Sequence, residues 1–228
     1  MPPKRKLNSG LVAALEKEFA SSRNASVAAG QAKYMKNQFE FFGLYSPKRR
    51  EIQKEVFRQY SFEEEKELCA VLDALWAKKE RDFQCSALDL AFANKSLLTS
   101  LPYLRSLIES KSWWDTVDLL ATKLVGDLVQ KDKTLLDSVI DHWIADQNIW
   151  VKRSAMLCQL KFKGETDEKR LLRYAEVCLD HKEFFVQKAM AWALREHSKR
   201  KPEVVRHFRD KHVKRINTAM NREMSKYI

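Results

Sequence analysis

The sequence predicts an all-α protein, an α-solenoid of HEAT-like helical-hairpin repeats whose inner helices line a curved, basic concave groove. Three observations predict it. Only five glycines and five prolines occur in 228 residues, and the composition leans on Ala, Leu, Lys, Glu and Arg, which favour helix. Apolar residues return with a period of about 3.6 in segment after segment, separated by short breakers such as Asn94-Lys95-Ser96 and Asp146-Gln147-Asn148. Ala87, Ala121, Ala155 and Ala189 stand 34 residues apart, each in a similar apolar context. That step is one helix pair, and a small residue recurring where helices approach closely favours stacked hairpins over a closed bundle.

The elements follow in order. Helices are expected near 8–20 and 25–37, after which "FEFFGLYSPKRR" turns the chain at Gly43 and starts a helix at Ser46-Pro47, a capping serine with proline at the first position. Further helices are expected near 62–78, 81–94, 99–110, 113–129, 132–145, 148–162, 167–179, 183–199 and 202–226, the last one broken, with no strand. The acidic run from Phe62 to Asp82 reads as a solvated helix face. No stretch reads as a long linker. Residues 1–228 are therefore expected to form one domain, with helices over 8–60 capping repeats over 62–209 and a basic helical tail over 210–228.

Lys and Arg outnumber Asp and Glu by 42 to 31, a net charge of +11. Residues 195–228 hold eleven Lys/Arg against four Asp/Glu. Such a field attracts polyanions, of which nucleic acid is the commonest inside cells, although a solubilising surface has the same composition. Cys69, Cys85, Cys158 and Cys178 are widely spaced within apolar segments and read as reduced core residues. The five histidines form no metal-spaced cluster and there is no Gly-rich phosphate loop, so neither a metal nor a nucleotide cofactor is expected. The basic start "MPPKRKLNSG" precedes no apolar stretch, and no apolar run approaches the length of a membrane span. A cytosolic protein is expected, associated with the nucleoid when on DNA, or nuclear if the host has a nucleus.

Two helices carry the chemistry. In "KSWWDTVDLLATKLVGDLV", residues Trp113, Val117, Leu120, Leu124 and Leu128 form the apolar stripe, and Trp114 and Asp118 lie together at its edge, one turn apart. An acid in an early turn also complements the helix dipole and an indole also fills a core, so these two residues alone favour a structural role. In "EFFVQKAMAWALREHSK" the stripe is Val186, Met190, Ala193 and Leu194, whereas Trp192 shares the other face with Lys188, Arg195 and Lys199. Aromatic and basic groups interleaved in this way suit a nucleic-acid surface; packing of Trp192 under the Arg195 stem is the alternative. Between them, "NIWVKRSAMLCQLKFK" offers Trp150, Arg153 and Lys161.

Four stretches, "YMKNQFEFFGLYSPKRR" (34–50), "SWWDTVD" (112–118), "NIWVKRSAMLCQLKFK" (148–163) and "EFFVQKAMAWALRE" (183–196), together resemble the AlkD family of DNA alkylation repair glycosylases over residues 30–209. That resemblance implies cleavage of the N-glycosidic bond of positively charged N3- and N7-alkylpurines in double-stranded DNA, leaving an abasic site without base flipping. It implies Asp118 as the catalytic carboxylate, Trp114 and Trp192 as indoles beside the lesion, and Arg153, Lys161 and Arg195 as backbone contacts, with Lys188 on the same basic face and Tyr34 as a further groove aromatic. No cofactor and no metal are implied, and a groove that clasps a duplex suits a monomer. Glu40 departs from the proline of the family's turn, and the C-terminal "RDKHVKRINTAMNREMSKYI" departs from its ending. A catalytically silent binder of damaged or branched DNA and a protein-interaction scaffold are the other readings. The basic C-terminal third speaks against the scaffold.

Overall fold

The computed structural model describes residues 9–228, so position 8 of the first expected helix and the basic start lie outside the described residues. The helices are α1 (Ser9–Ser21), α2 (Ala25–Tyr34), α3 (Ser46–Phe57), α4 (Glu65–Ala77) and α5 (Arg81–Ala93), then α6 (Leu101–Glu109), α7 (Trp114–Leu119), α8 (Gly126–Lys131) and α9 (Asp141–Trp143). They end with α10 (Ile149–Leu157), α11 (Glu168–Leu179), α12 (Phe184–Ser198), α13 (Pro202–Lys211) and α14 (Thr218–Met224). The fold is all-α, with an isolated β-bridge between Glu40 and Glu80. No helix is long and apolar enough to cross a membrane. Contacts divide the chain into two compact units, 1–99 and 100–228.

In the first unit, Leu11, Leu15 and Phe19 bury one face of α1, and Phe19, Phe42 and Phe83 meet with ring centroids 5.6–5.9 Å apart. The expected helix over 25–37 stops at Tyr34 because Lys36 and Asn37 adopt left-handed backbone, φ 56° and 57°. At the next helix Ser46 is already helical, Tyr45 is the cap, and Pro47 therefore stands second. That place is tolerated because the first four helical N–H groups have no intrahelical acceptor. Gly43 turns the chain at φ 84°, with a Cβ there falling 2.0 Å from the Asn24 carbonyl. Glu40, the unexpected acid of this turn, accepts from Arg81 N through its carbonyl at 2.8 Å and pairs its exposed carboxylate with Lys79 at 2.6 Å.

The repeat is visible in what touches what. Polar contacts join residues about one repeat apart along the chain: Glu65 with Thr99, Asp118 with Arg153, Asp141 with Arg173 and Asp180 with Arg215. Ala87, Ala121, Ala155 and Ala189 are all buried, as a close-approach position requires. The stripe Val186, Met190, Ala193 and Leu194 is buried as well, and the expected 202–226 helix is broken over residues 212–217 into α13 and α14, the latter within the basic tail.

In the second unit the expected 113–129 helix begins one residue late and changes hydrogen-bonding pattern, running as π-helix over Leu120–Val125. A π-turn inserts one residue, which rotates everything beyond it. Val117, Leu120 and Leu124 stay buried, but in the turn beyond Gly126 the buried position is Val129 in place of the expected Leu128, which is half-exposed. Gly126 sits just past this turn, where α8 crosses the end of α10: an added Cβ would fall 2.5 Å from the Cys158 carbonyl. Gly126→Ala should therefore lower stability by about 1–3 kcal/mol, as overpacking in a close contact does. Urea denaturation checks it; an unchanged midpoint would show that the two helices are not held in register here.

Candidate active site

Trp113 is extended, φ −157° and ψ 159°, and its carbonyl accepts from Val117 N at 3.0 Å, so α7 starts with Trp114 and sets Asp118 one turn further on. Both are half-buried. The hydroxyl of Thr122 donates to the Asp118 carbonyl at 2.6 Å, satisfying that acceptor where the π-turn begins. Trp113 itself leaves the expected helical stripe. Its ring lies 5.7 Å from Trp150 and 5.1 Å from Phe185, and Phe185 lies 5.0 Å from Trp150, making one aromatic cluster contributed by three successive repeats. Trp113 Nε1 is buried there without an acceptor among the described residues, so ring packing outweighs that hydrogen bond.

The Asp118 carboxylate is gripped from below. Arg153 on α10 donates from Nε to Oδ1 at 2.7 Å and from Nη2 to Oδ2 at 2.8 Å, and its Nη1 donates to the Phe185 carbonyl at the start of α12. The arginine side chain is 3% exposed and the aspartate 15%, so the pair opens to solvent only on the carboxylate side. A two-point guanidinium–carboxylate pair fixes orientation as well as charge. Burial pushes the Asp118 carboxyl above its ordinary range, and the neighbouring Asp115 adds to this; the Arg153 hydrogen bonds and charge, and the charge of Lys188, oppose it without cancelling it.

Asp118, Arg153 and Lys188 are thus brought together, with Lys188 exposed on α12 and Trp192 half-buried one turn beyond it. Arg153, expected against DNA phosphates, is instead buried with its donors turned to Asp118 and Phe185. Arg195 pairs with Glu223 of α14, so the tail ties down a cation expected to face DNA. Lys161 is exposed in the turn after α10, and Tyr34 is exposed at the end of α2 in the first unit. The sequence reading missed the Trp113–Trp150–Phe185 cluster. Its signal was present, since Trp150 and Phe185 are separated by 35 residues, nearly one repeat.

A model of the DNA alkylation repair enzyme family matches residues 15–228. The chain belongs to that family. A solved structure described as a predicted DNA alkylation repair enzyme from Enterococcus faecalis is similar at 32% identity and TM-score 0.81, over 90% of this chain and 96% of that one. The crystal structure of AlkD2 from Streptococcus mutans shares the fold at 15% identity and TM-score 0.62, over 97% and 99% of the two chains. None of the curated proteins searched matches the chain. The chain thus has the all-helical fold of these structures and belongs to a family of DNA alkylation repair enzymes.

The buried pair has a measurable consequence. Arg153→Met leaves the Asp118 charge buried without its guanidinium and should cost about 3–5 kcal/mol near neutral pH. Removing the arginine raises the folded-state carboxyl pKa further above its unfolded value, so the folded variant binds the proton more tightly and the deficit should shrink as pH falls through that raised pKa. Denaturation of wild type and variant across pH checks both statements; a deficit independent of pH would contradict the carboxylate as its source.

Proposed function

We propose that the protein is a monofunctional alkylpurine DNA glycosylase acting as a monomer on double-stranded DNA. It hydrolyses the N-glycosidic bond of positively charged N3- and N7-alkylpurines such as 3-methyladenine and 7-methylguanine, without flipping the base, and leaves an abasic site. One observation carries this reading. A carboxylate, Asp118, is fixed at a half-buried edge by a buried guanidinium, in a helix that also presents Trp114.

Breaking the C1′–N bond of a cationic purine sends the bonding pair to the purine nitrogen, which neutralises the base and leaves positive charge spread over C1′ and O4′ of the sugar. An anion beside C1′ stabilises that charge in the transition state, and it does so best where water is partly excluded. Water then adds to C1′ and loses its proton, completing hydrolysis. The leaving group carries its own activating charge, so no general acid is required. Both Asp118 oxygens already accept from Arg153, which occupies the carboxylate and fixes its orientation, and this favours electrostatic stabilisation over deprotonation of the water. Trp114 and Trp192 would offer negative π faces to the cationic base or sugar, about 0.5–2 kcal/mol each. Lys188, Lys161 and Arg195, the last once released from Glu223, would hold phosphates, with Tyr34 a further groove contact.

Wild-type protein should release free 7-methylguanine from methylated duplex DNA, and Asp118→Asn should release it about 100-fold or more slowly, as loss of one preorganised electrostatic group does. No release by wild type, or equal release by the variant, would refute the assignment. The rate should rise with pH as Asp118 ionises. Since burial lifts that carboxyl, the midpoint of the acid limb should lie above the ordinary aspartate value of 3.8; a limb centred at or below 3.8 would remove Asp118 from the mechanism.

A further inference from the structure

At the far end of α12 from Asp118, the last residues of that helix face the 3-10 turn Lys163–Glu165 that follows α10. Two adjoining hollows open there, of about 320 Å³ and 510 Å³, sharing Lys163, Thr166, His197, Lys199 and Arg200, with Lys201 at the outer one. Four cations thus converge on one small space. The carboxylates nearby neutralise only part of this charge: Glu168 is held by His197 and Lys201, each at 2.9 Å, and Glu196, which lines the inner hollow, is held by Lys199 at 2.7 Å. Neither Lys163 nor Arg200 has an acidic partner among the described residues.

The backbone is bent to produce this convergence. Lys163 adopts φ 56°, a conformation unfavourable for a residue with a long side chain and more readily taken by Gly, Asn or Asp. Gly164 follows directly, and a Cβ there would come within 3.3 Å of Arg200 Nη2, so the guanidinium rests against the space its missing side chain leaves. Local strain and uncompensated like charges around a cavity both raise the energy of the free protein, and an anion in the hollow would offset the electrostatic part. Water alone would hydrate separate lysines equally well without the strained turn.

We propose that this hollow is a phosphate-group site, in which Lys163 and Arg200 are the principal donors and Lys199 and Lys201 supply field. It builds on the DNA-binding reading above, to which it adds an anchor for a phosphate remote from the lesion. The same chemistry would accept free inorganic phosphate, and the two sources are separated by experiment. The site serves grip, not bond cleavage, because it is built on the opposite end of α12 from Lys188.

The test compares wild type with Lys163→Asn/Arg200→Gln, asparagine being chosen because it tolerates left-handed backbone, and with Lys66→Gln/Lys214→Gln as a control of equal charge loss at exposed positions. Binding of an unmodified duplex is followed against salt, and thermal stability in inorganic phosphate against chloride at equal ionic strength. A phosphodiester occupant predicts that the slope of log K against log salt becomes shallower by about 0.9 for the phosphate lost in the site variant, with the control differing less. An occupant that is free phosphate predicts a thermal stabilisation by phosphate in wild type and control that the site variant lacks, with the DNA slope equal in the two charge-matched variants. Either result supports the site and names its source. Equal salt slopes in the two variants together with equal phosphate stabilisation would overturn it. The readouts are duplex binding and thermal stability, neither of which requires base release, so a failure of the glycosylase reading leaves this test intact.

Discussion

The second unit is organised around one buried guanidinium. Arg153 has its Nε and Nη2 donors on Asp118 and its Nη1 donor on the Phe185 carbonyl, so a single side chain ties α7, α10 and the start of α12 together. Withdrawing that charge from water is expensive, and the arrangement is sustained only because hydrogen bonds and the carboxylate compensate it. The same constraint sets the chemistry. Asp118 cannot relax toward solvent or rotate away without exposing an unpaired arginine beneath it, so an anion is maintained at a partly dry edge where its field is strong.

The repeat supplies the geometry for this. Successive hairpins stack so that positions about one repeat apart meet, which brings Asp118 over Arg153 just as it brings Trp113, Trp150 and Phe185 into one aromatic cluster. The π-turn at Leu120–Val125 adjusts the fit. By inserting a residue it rotates α8 relative to α7, so that Val129 reaches the core and Gly126 can touch the end of α10 while Asp118 stays at the edge. Extra residues of this kind inside helices are frequent at functional sites, where they aim a side chain that a regular helix would misplace.

Much of this was legible in the sequence, for identifiable reasons. The 34-residue alanine step marked the repeat, and periodicity located every long helix within a few residues, because both signals are local. The π-turn was not legible, since it depends on packing between helices, and with it went the choice between Leu128 and Val129. Trp113 was misplaced on the stripe because an extended cap and a first helical residue look alike in sequence. The family resemblance implies Arg153 as a DNA-backbone contact, because a matching motif shows that a cation stands there but not which partner claims it; the repeat spacing from Asp118 was the available clue. Likewise nothing in the tail announced that Glu223 would take Arg195.

The central claim is that Arg153 acts on the reaction only through Asp118. A double-mutant cycle in single-turnover release of 7-methylguanine, with Asp118→Asn, Arg153→Met and the two combined, tests it directly. The account predicts that each single variant slows release and that the double variant is no slower than Asp118→Asn alone. Losses that multiply, with Arg153→Met slowing the Asp118→Asn protein as much as it slows wild type, would contradict it and place the arginine on the DNA in its own right.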